Sequence, residues 1–302
     1  MSVFFLGVGI VVVAYFLLRI YVSGARCKSK AKLDGKTVIV TGSNTGIGRE
    51  TAVDLARRGA RVILACRSQI IIFKYKNTQN SEIASQNIDL ASQDNSHFFY
   101  LFKGFLIHQN FFKKKKDGLG LMFEVNHLGH FLLTHLLLDR LKECGPSRVV
   151  NVSSMLHQHG NLDFNVFNTH KEFGAGDSLM DVMKVYSHSK LCNVLFTHEL
   201  AKRLQGTNVT CYSLHPGVIN TELTRHYSKV LKMVLKPIIR LFSKDLEAGA
   251  QTTLYCAVQE GIEGLSGRYF SDCAVKEVQP KARDNAVAKK LWELSEKLCD
   301  LS

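Results

Sequence analysis

Proline, tryptophan and closely spaced cysteines are scarce in this sequence. Its 302 residues include 4 prolines, 1 tryptophan and 8 cysteines, and the cysteines are scattered singly. Structural zinc sites usually need close cysteine pairs, and disulfide-rich mini-folds need a short chain dense in cysteine. We therefore predict free thiols in a reducing compartment and no metal site. With 46% hydrophobic residues, the chain is also neither disordered nor collagen-like.

Acidic residues are the minority among the charged ones. The 26 Asp and Glu stand against 39 Lys and Arg, which gives a formal charge of +13. An excess of this size is found in proteins that bind nucleic acids. Zinc-finger spacing, a basic zipper and RNA-binding aromatic motifs are all missing, however, so we expect no nucleic-acid partner.

Charged side chains are also missing from residues 1–18. Continued through Val22, this apolar run has about 20 residues, enough to cross a hydrocarbon core ~30 Å thick. A basic cluster follows it and favours the cytosolic side of a membrane. We predict a transmembrane signal anchor over residues 1–22, then a basic linker over 23–35, with the rest of the chain in the cytosol. A cleaved signal peptide, which would make the protein secreted, and a buried soluble helix are the alternatives.

A glycine-rich turn stands between a short β-branched run and a helical segment. Lys36–Thr41 is predicted to be a buried strand, Arg49–Arg58 a helix and Arg61–Cys66 a second strand, which together make a βαβ unit. Glycines let the backbone approach a pyrophosphate, and the helix N-terminus offers free N–H groups. In this context the pattern predicts dinucleotide binding. The turn consists of Gly42, Ser43, Asn44, Thr45, Gly46, Ile47 and Gly48.

Strands and helices continue to alternate after an atypical, phenylalanine-rich segment over residues 69–118. This alternation predicts an α/β fold, a Rossmann-type doubly wound parallel sheet in a single domain over residues 36–302. Within the atypical segment, Asn87–Leu90 is a candidate end of the third strand. The later predicted strands are 148–152, 208–214 and 267–270, and the later predicted helices are 121–141, 186–204, 230–242, 245–258 and 284–299.

The end of the second strand lacks the carboxylate that NAD-dependent enzymes usually place there for the ribose hydroxyls. Cys66 and Arg67 occupy this position. A guanidinium can bind a 2′-phosphate through two hydrogen bonds, and Arg49 after the glycine turn adds positive charge. We therefore predict NADP(H) rather than NAD(H) as the cofactor.

Tyr186 and Lys190 are four residues apart in a predicted helix, and so lie on the same face of it. A phenol with a pKa near 10 is a poor acid–base group at neutral pH, but a nearby ammonium group stabilises the phenolate and lowers that pKa. Ser154 ends an upstream strand and can donate a hydrogen bond to a substrate oxygen. The carboxyl ends of parallel strands share one edge, so these side chains are expected to meet there.

Five motifs of the sequence are specific when taken together. They are Thr41-Gly42-x3-Gly46-x-Gly48, Asn126 in Val125–His130, Ser154 in Asn151–Ser154, Tyr186-x3-Lys190 and His215-Pro216-Gly217-Val218. In this combination the chain resembles the classical short-chain dehydrogenases/reductases, and among them the membrane-anchored retinol dehydrogenases. The resemblance covers residues 33–68 and 119–300.

The resemblance implies four catalytic residues. Tyr186 is the general acid–base for the carbonyl or alcohol oxygen, and Ser154 orients that oxygen. Lys190 lowers the pKa of Tyr186 and holds the nicotinamide ribose. Asn126 holds a water that connects Lys190 with solvent.

The resemblance also implies further cofactor contacts. Pro216, Gly217, Val218 and Thr221 flank the nicotinamide carboxamide, and Asp89 contacts the adenine. The substrate is an apolar alcohol or carbonyl such as retinol or retinal, and the location is the endoplasmic reticulum membrane. Two copies pair through the helices that hold the catalytic asparagine and tyrosine.

One departure from the family pattern concerns the central sheet. The Asn-Asn-Ala-Gly stretch that ends the family's fourth strand is missing here. Three interpretations remain open at this point: residues 98–107 fill the slot without the motif, the segment comes from a wrongly assigned exon, or the protein is a catalytically inactive, cofactor-binding membrane protein.

Overall fold

The computed structural model describes residues 2–65, 70–74, 83–84, 100–102, 120–164, 179–219 and 241–301. The expected end of the third strand at 87–90 lies outside these ranges, as does nearly all of the expected helix at 230–242. Arg67, Asp89 and Thr221 also lie outside them.

The described helices and strands alternate along most of the chain. The helices are α1 (Ser2–Ser23), α2 (Gly46–Arg57), α3 (Leu121–Phe123), α4 (Gly129–Glu143), α5 (Leu179–Arg203), α6 (Leu246–Val258) and α7 (Asn285–Leu298). The strands are β1 (Thr37–Thr41), β2 (Arg61–Ala65), β3 (Ile70–Lys74), β4 (Ile83–Ala84), β5 (Tyr100–Phe102), β6 (Ser147–Val152), β7 (Val209–His215), β8 (Tyr269–Ser271) and β9 (Ala274–Val275). A π-helical turn, Glu124–Leu128, joins α3 to α4.

All nine strands belong to one sheet, in the order β4-β3-β2-β1-β5-β6-β7-β8-β9. The six strands from β2 to β8 in this order run parallel to one another. β3, β4 and β9 are added to the two sides as antiparallel strands. The predicted doubly wound parallel sheet is confirmed.

The central slot beside β1 is filled by β5, as the first of the three interpretations of the atypical segment expected. Leu101 and Phe102 pair with Ile39 and Val40 of β1. On its other side β5 pairs with β6 through three residues. Both neighbours therefore find backbone partners at this place, although the family motif is missing.

The place beside β2 differs from the expectation of a third parallel strand. β3 occupies it and runs antiparallel, with Ala65 opposite Ile70. Only four residues separate these two strands, while a crossover to a parallel strand needs a dozen or more. The short connection therefore permits only the antiparallel arrangement.

Helices cover both faces of the sheet because successive residues of a buried strand point in opposite directions. Val38 and Val40 of β1 pack on one face with Leu55 of α2 and Leu254 of α6. Ile39 points to the other face, whose cluster includes Phe131 of α4, Phe196 of α5 and Trp292 of α7. The continuous apolar run that predicted a buried parallel strand is explained by these two clusters.

The N-terminal helix α1 is long and apolar enough to cross a membrane, and its apolar stretch, within Phe5–Ser23, is not buried in the protein. The alternative of a buried soluble helix is therefore contradicted. After α1, residues 24–33 run in an extended path along the body of the protein, and we call this segment the strap. It ends at Leu33, which is buried and donates its backbone N–H to the carbonyl oxygen of Arg58.

Candidate functional site

The carboxyl ends of three strands, β1, β6 and β7, carry the predicted site. β1 leads into the glycine turn, β6 leads into Ser153 and Ser154, and β7 ends at His215 before Pro216. Ligands of doubly wound sheets bind at this edge, outside the ends of the strands. The structure thus brings the predicted nucleotide and catalytic motifs to the same side of the molecule.

The glycine turn has a backbone that only glycine adopts without strain at two positions. Gly42 and Gly46 have φ of +63° and +64°, in the left-handed region. At a third position, a Cβ on Gly48 would collide with the carbonyl oxygen of Gly42. The turn is therefore as tight as close approach to a pyrophosphate requires.

The N-terminus of α2 is open to a ligand. Thr45 is its N-cap, in an extended conformation, and its side chain makes no capping hydrogen bond. The first N–H groups of this 12-residue helix and its positive dipole end are thus available to a phosphate group. Ser43 beside them is buried, Asn44 is exposed and Ile47 is half-buried. These residues fit a dinucleotide.

Tyr186 and Lys190 lie on the inward face of α5, and both are buried. The Lys190 Nζ lies 5.4 Å from the centroid of the Tyr186 ring. The same ammonium group donates a hydrogen bond of 3.2 Å to the carbonyl oxygen of Val152, at the end of β6. The predicted pair therefore faces the carboxyl edge of the sheet.

Burial acts on the pKa of each member of this pair. It raises the pKa of Tyr186 above its ordinary value, and the nearby Ser154 hydroxyl acts in the opposite direction. Burial lowers the pKa of Lys190 to about 7. Each group is thus held toward its uncharged form, because the charged form is poorly solvated there. The predicted lowering of the Tyr186 pKa by Lys190 stays a prediction.

Ser154 is held by the short 3-10 turn that follows β6. Its Oγ accepts a hydrogen bond of 3.2 Å from the backbone N–H of Leu156 and also contacts Tyr186. Its carbonyl oxygen lies 2.7 Å from Nδ1 of His157. The neighbouring Ser153 donates its hydroxyl to the carbonyl oxygen of Lys190, 2.8 Å away. Ser153 therefore joins the end of β6 to α5, next to Ser154.

Asn126 lies in the π-helical turn between α3 and α4. Such turns are frequent at functional sites, because they turn a side chain out of the regular helical path. The Asn126 Nδ2 donates to Ser189 Oγ at 3.1 Å, and Ser189 donates to the carbonyl oxygen of Tyr186 at 2.8 Å. Among the described residues, no group donates a hydrogen bond to Asn126 Oδ1, which is buried.

The segment after β7 is braced by a lysine that the sequence did not single out. Pro216 is buried, and Gly217 has a φ of +99°. A Cβ on Gly217 would strike the side chain of Lys244, and the backbone N–H of Lys244 donates to the carbonyl oxygen of Val218. Lys244 Nζ lies 2.8 Å from Asp272 Oδ1. No motif marks Lys244 or Asp272, since each acts through a contact between distant parts of the chain.

Two buried histidines, His157 and His188, and the half-buried His215 lie around the site, and sequence reasoning gave them no role. Burial, together with nearby positive groups, lowers the pKa of His215 and of His188 to about 4 in each case. Burial also lowers the pKa of His157, whose ring lies 4.7 Å from that of Tyr269. His215 and His188 belong to predicted motifs as neighbours of functional residues, and that position was the available signal.

No cluster of metal-ligating side chains occurs in the part of the chain that the structure describes. The sequence pattern closest to a metal-binding motif is His127-x2-His130, and both of these histidines contact other side chains. His127 Nε2 lies 2.9 Å from Ser295 Oγ, and His130 Nε2 lies 3.3 Å from Thr41 Oγ1. The second contact ties α4 to the end of β1.

Comparisons with known proteins agree with this geometry. The sequence model of the family described as short chain dehydrogenase matches residues 36–99 and 174–231. Dehydrogenase/reductase SDR family member 13 of Bos taurus is 46% identical over 318 residues, with 100% of this chain and 83% of that protein covered. Human retinol dehydrogenase 12 is 44% identical over 307 residues, with 94% of this chain and 92% of that protein covered.

A solved structure resembles the fold as well. The crystal structure of an uncharacterised protein from Mycobacterium paratuberculosis matches with a TM-score of 0.65 and 28% sequence identity. The match covers 92% of this chain and 98% of that one. The likeness in sequence and the likeness in fold both extend over nearly the whole chain.

Proposed function

This chain belongs to the short-chain dehydrogenase/reductase family of oxidoreductases, and from that premise we propose that it transfers a hydride between NADP(H) and an apolar alcohol or carbonyl such as retinol or retinal. The observation that carries the proposal is the meeting of Asn126, Ser154, Tyr186 and Lys190 at the carboxyl edge of the sheet. The glycine turn opens onto the same edge. An inactive, cofactor-binding protein has no need of this convergence.

In the proposed reaction, Tyr186 exchanges a proton with the substrate oxygen. Ser154, whose hydroxyl lies near the Tyr186 phenol, donates a hydrogen bond to that oxygen and orients it. Hydride transfer is the chemistry that NADP(H) would supply when it is held beside these residues. General acid–base catalysis by a positioned side chain contributes typically about 10²–10⁴ to the rate.

Two further residues assist the proton transfer at Tyr186. Lys190 stabilises the phenolate as the proton leaves and binds the nicotinamide ribose, and its own pKa of about 7 lets it change charge near neutral pH. Asn126, through Ser189 and the backbone of Tyr186, positions α5. We assign Asn126 Oδ1 as the acceptor of a hydrogen bond from the water that connects Lys190 with solvent.

The remaining assignments concern the cofactor. The turn from Gly42 to Gly48 binds the pyrophosphate at the N-terminus of α2, and Pro216, Gly217 and Val218 border the nicotinamide. We extend this assignment to Thr221 at the carboxamide, Asp89 at the adenine and Arg67 at the 2′-phosphate, on the sequence motifs alone.

We place the protein in the endoplasmic reticulum membrane, with α1 as its anchor, its body in the cytosol, and a homodimer as the assembly. The length and apolar surface of α1 support membrane association. The relatives named retinol dehydrogenase support an apolar substrate, which would concentrate in the same membrane.

The test is turnover by the full chain in vesicles, with NADPH and a panel that includes retinal and short aldehydes. We expect Tyr186→Phe to lose at least about 10²-fold in kcat while its thermal stabilisation by NADPH is kept. Tyr255→Phe, on α6 away from the site, is the matched control and should behave as the unchanged chain. An active Tyr186→Phe variant would overturn the assignment.

A further inference from the structure

The end of α1 is attached to the edge of the sheet that carries the site. Arg19, in the last turns of the helix, donates a hydrogen bond of 2.9 Å to the carbonyl oxygen of Ser243. Ser243 immediately precedes Lys244, whose backbone binds Val218 and whose side chain lies over Gly217. The apolar helix therefore ends beside the segment that borders the proposed nicotinamide site.

The strap continues this attachment along the whole length of α6. Its contacts with α6 begin at Glu247 in the first turn and end at Val258, the last residue, about 17 Å further on at 1.5 Å per residue. Four of them join the strap to this part of the body: Ala25 N to Asp272 Oδ1 at 2.9 Å, Arg26 to Glu247 at 2.9 Å, Cys27 N to Gln251 Oε1 at 3.1 Å and Ser29 Oγ to the carbonyl oxygen of Val258 at 3.0 Å.

The side chains of the strap alternate in exposure. Cys27, Ser29 and Ala31 are half-buried and Leu33 is buried, while Lys28, Lys30 and Lys32 between them are exposed. One side of the extended strap thus packs on the body, and the other presents a row of lysines. Ammonium groups beside an apolar helix attract the anionic headgroups of a cytoplasmic leaflet.

Asp272 is shared between the strap and the site. Its Oδ1 accepts the backbone N–H of Ala25 and also the ammonium group of Lys244. Gly24 approaches the same carboxylate so closely that a Cβ there would collide with it. A shift of the strap would therefore displace Asp272 and, with it, Lys244, which packs against Gly217.

Exposed apolar side chains are concentrated around the same edge. Outside α1, the described residues include six exposed large apolar side chains, and four of them border the site. Met155 follows Ser154, Met180 lies in the first turn of α5, Val218 follows the nicotinamide motif, and Phe242 precedes Ser243. We call these four residues the apolar rim.

We propose that the strap holds the body on the bilayer with the apolar rim facing the lipid, so that the substrate enters the site directly from the membrane. This inference rests on the proposed function only for the chemical identity of the substrate. The occupant of the rim is the lipid surface, since the apolar helix α1 ends at the same edge, where Arg19 binds Ser243 next to Phe242.

A lipid-contact measurement tests the orientation without any activity. Phe242→Trp and Leu136→Trp are prepared in the full chain, which otherwise has the single, buried Trp292. Leu136 is the matched control, because it is an equally exposed apolar residue on α4, away from the rim. In vesicles of brominated phosphatidylcholine and phosphatidylserine, we expect the bromine atoms to quench the added tryptophan at 242 and to leave the one at 136 unquenched. Equal behaviour of the two variants would overturn the proposed orientation.

An insertion tests the strap. A flexible Gly-Ser segment of about 12 residues, with a reach of roughly 20 Å, is placed between Ser23 and Gly24. We expect quenching at position 242 to be lost, since the body is then free to leave the bilayer surface. The same segment between Gly206 and Thr207, in an exposed turn at the opposite edge of the sheet, should leave the quenching intact. Persistent quenching after the first insertion would show that the strap does not set the orientation.

Turnover separates this proposal from the proposed function. The first insertion should lower kcat/KM about tenfold for an aldehyde dissolved in the bilayer, and change it less than about twofold for a short, water-soluble aldehyde. An equal loss for both aldehydes would contradict entry from the membrane. If the unchanged chain reduces neither aldehyde, the proposed function fails, while the quenching result still decides the orientation.

Discussion

The two halves of the sheet are built very differently. In the catalytic half, β6 and β7 have six and seven residues, and they lead directly into Ser154 and His215. In the nucleotide half, from β1 to β5, the fourth-strand slot is filled by three residues and the place beside β2 by an antiparallel strand. The difference teaches that the proposed catalytic motifs and a regular sheet are separable: Ser154, Tyr186 and Lys190 are placed by β6 and α5, although β5 beside β6 is short.

The largest effect is expected from Lys190→Met in the catalytic half. Activity should fall about 10²–10⁴-fold, because the cation beside Tyr186 is lost. Burial lowers the pKa of Lys190 to about 7 from 10.5, so the unfolded chain binds more protons between these values and stability should rise with pH across the window. That rise should be absent from the variant. Urea unfolding at both ends of the window checks it, with Lys184→Met, exposed on the same helix, as the control.

The nucleotide half is tested by Gly48→Ala. The added Cβ meets the carbonyl oxygen of Gly42, and forcing an atom into such a place costs about 1–3 kcal/mol. NADPH affinity should therefore fall by roughly tenfold to a hundredfold, as measured by thermal shift against NADPH concentration. Gly264→Ala, where a Cβ has no neighbour within 4 Å, should bind NADPH normally. Normal binding by Gly48→Ala would mean that the turn is not the pyrophosphate site.

A third variant, Arg67→Gln, tests the preference of the nucleotide half for NADPH over NADH. If the guanidinium binds the 2′-phosphate, its loss should weaken NADPH binding about tenfold, since a hydrogen bond to a charged group contributes about 1.5–3 kcal/mol. NADH binding should be unchanged. An equal change for the two cofactors, measured side by side by calorimetry, would remove Arg67 from the nucleotide site.

The smallest effect concerns acid stability of the catalytic half. The pKa of His188 and of His215 is about 4 in the folded chain and 6.5 in the unfolded one. The unfolded chain thus binds more protons between pH 6.5 and 4, and stability should decrease as the pH falls through this window. His188→Asn should reduce that loss by about 1 kcal/mol, as seen in urea unfolding. His159→Asn, at an exposed position, is the control, and an identical result for both variants would contradict the prediction.

The sequence predicted most of the catalytic half because its signals are local. An apolar β-branched run followed by a serine, and a tyrosine four residues before a lysine, specify strand, turn and helix within a few residues. The predicted strand at 148–152 is observed at Ser147–Val152, and the helix at 186–204 begins earlier, at Leu179. Here the expected meeting of Ser154, Tyr186 and Lys190 is also observed.

Other parts depended on contacts between distant residues and were less predictable. β5 has no motif, and its place is decided by the two strands that need a partner between them. The antiparallel course of β3 follows from a short connection, which was visible in the sequence only after both strands were known. The strap lies within the segment predicted as a basic linker over residues 23–35, and its contacts were not predictable because they use backbone groups and single polar side chains.

The three residues of β5 form a weak junction between the two halves of the sheet, which we call the seam. Their register covers two residues of β1 and three of β6, whereas β6 and β7 share six pairs. In native-state hydrogen exchange, proteins open in cooperative units whose boundaries follow the weakest ladders of backbone bonds. We expect the amides of β6 and β7 to exchange as one slow unit, and those of β1 and β2 as a second, faster one. Each NADPH molecule, by binding on both sides of the seam, would then merge the two units into a single one.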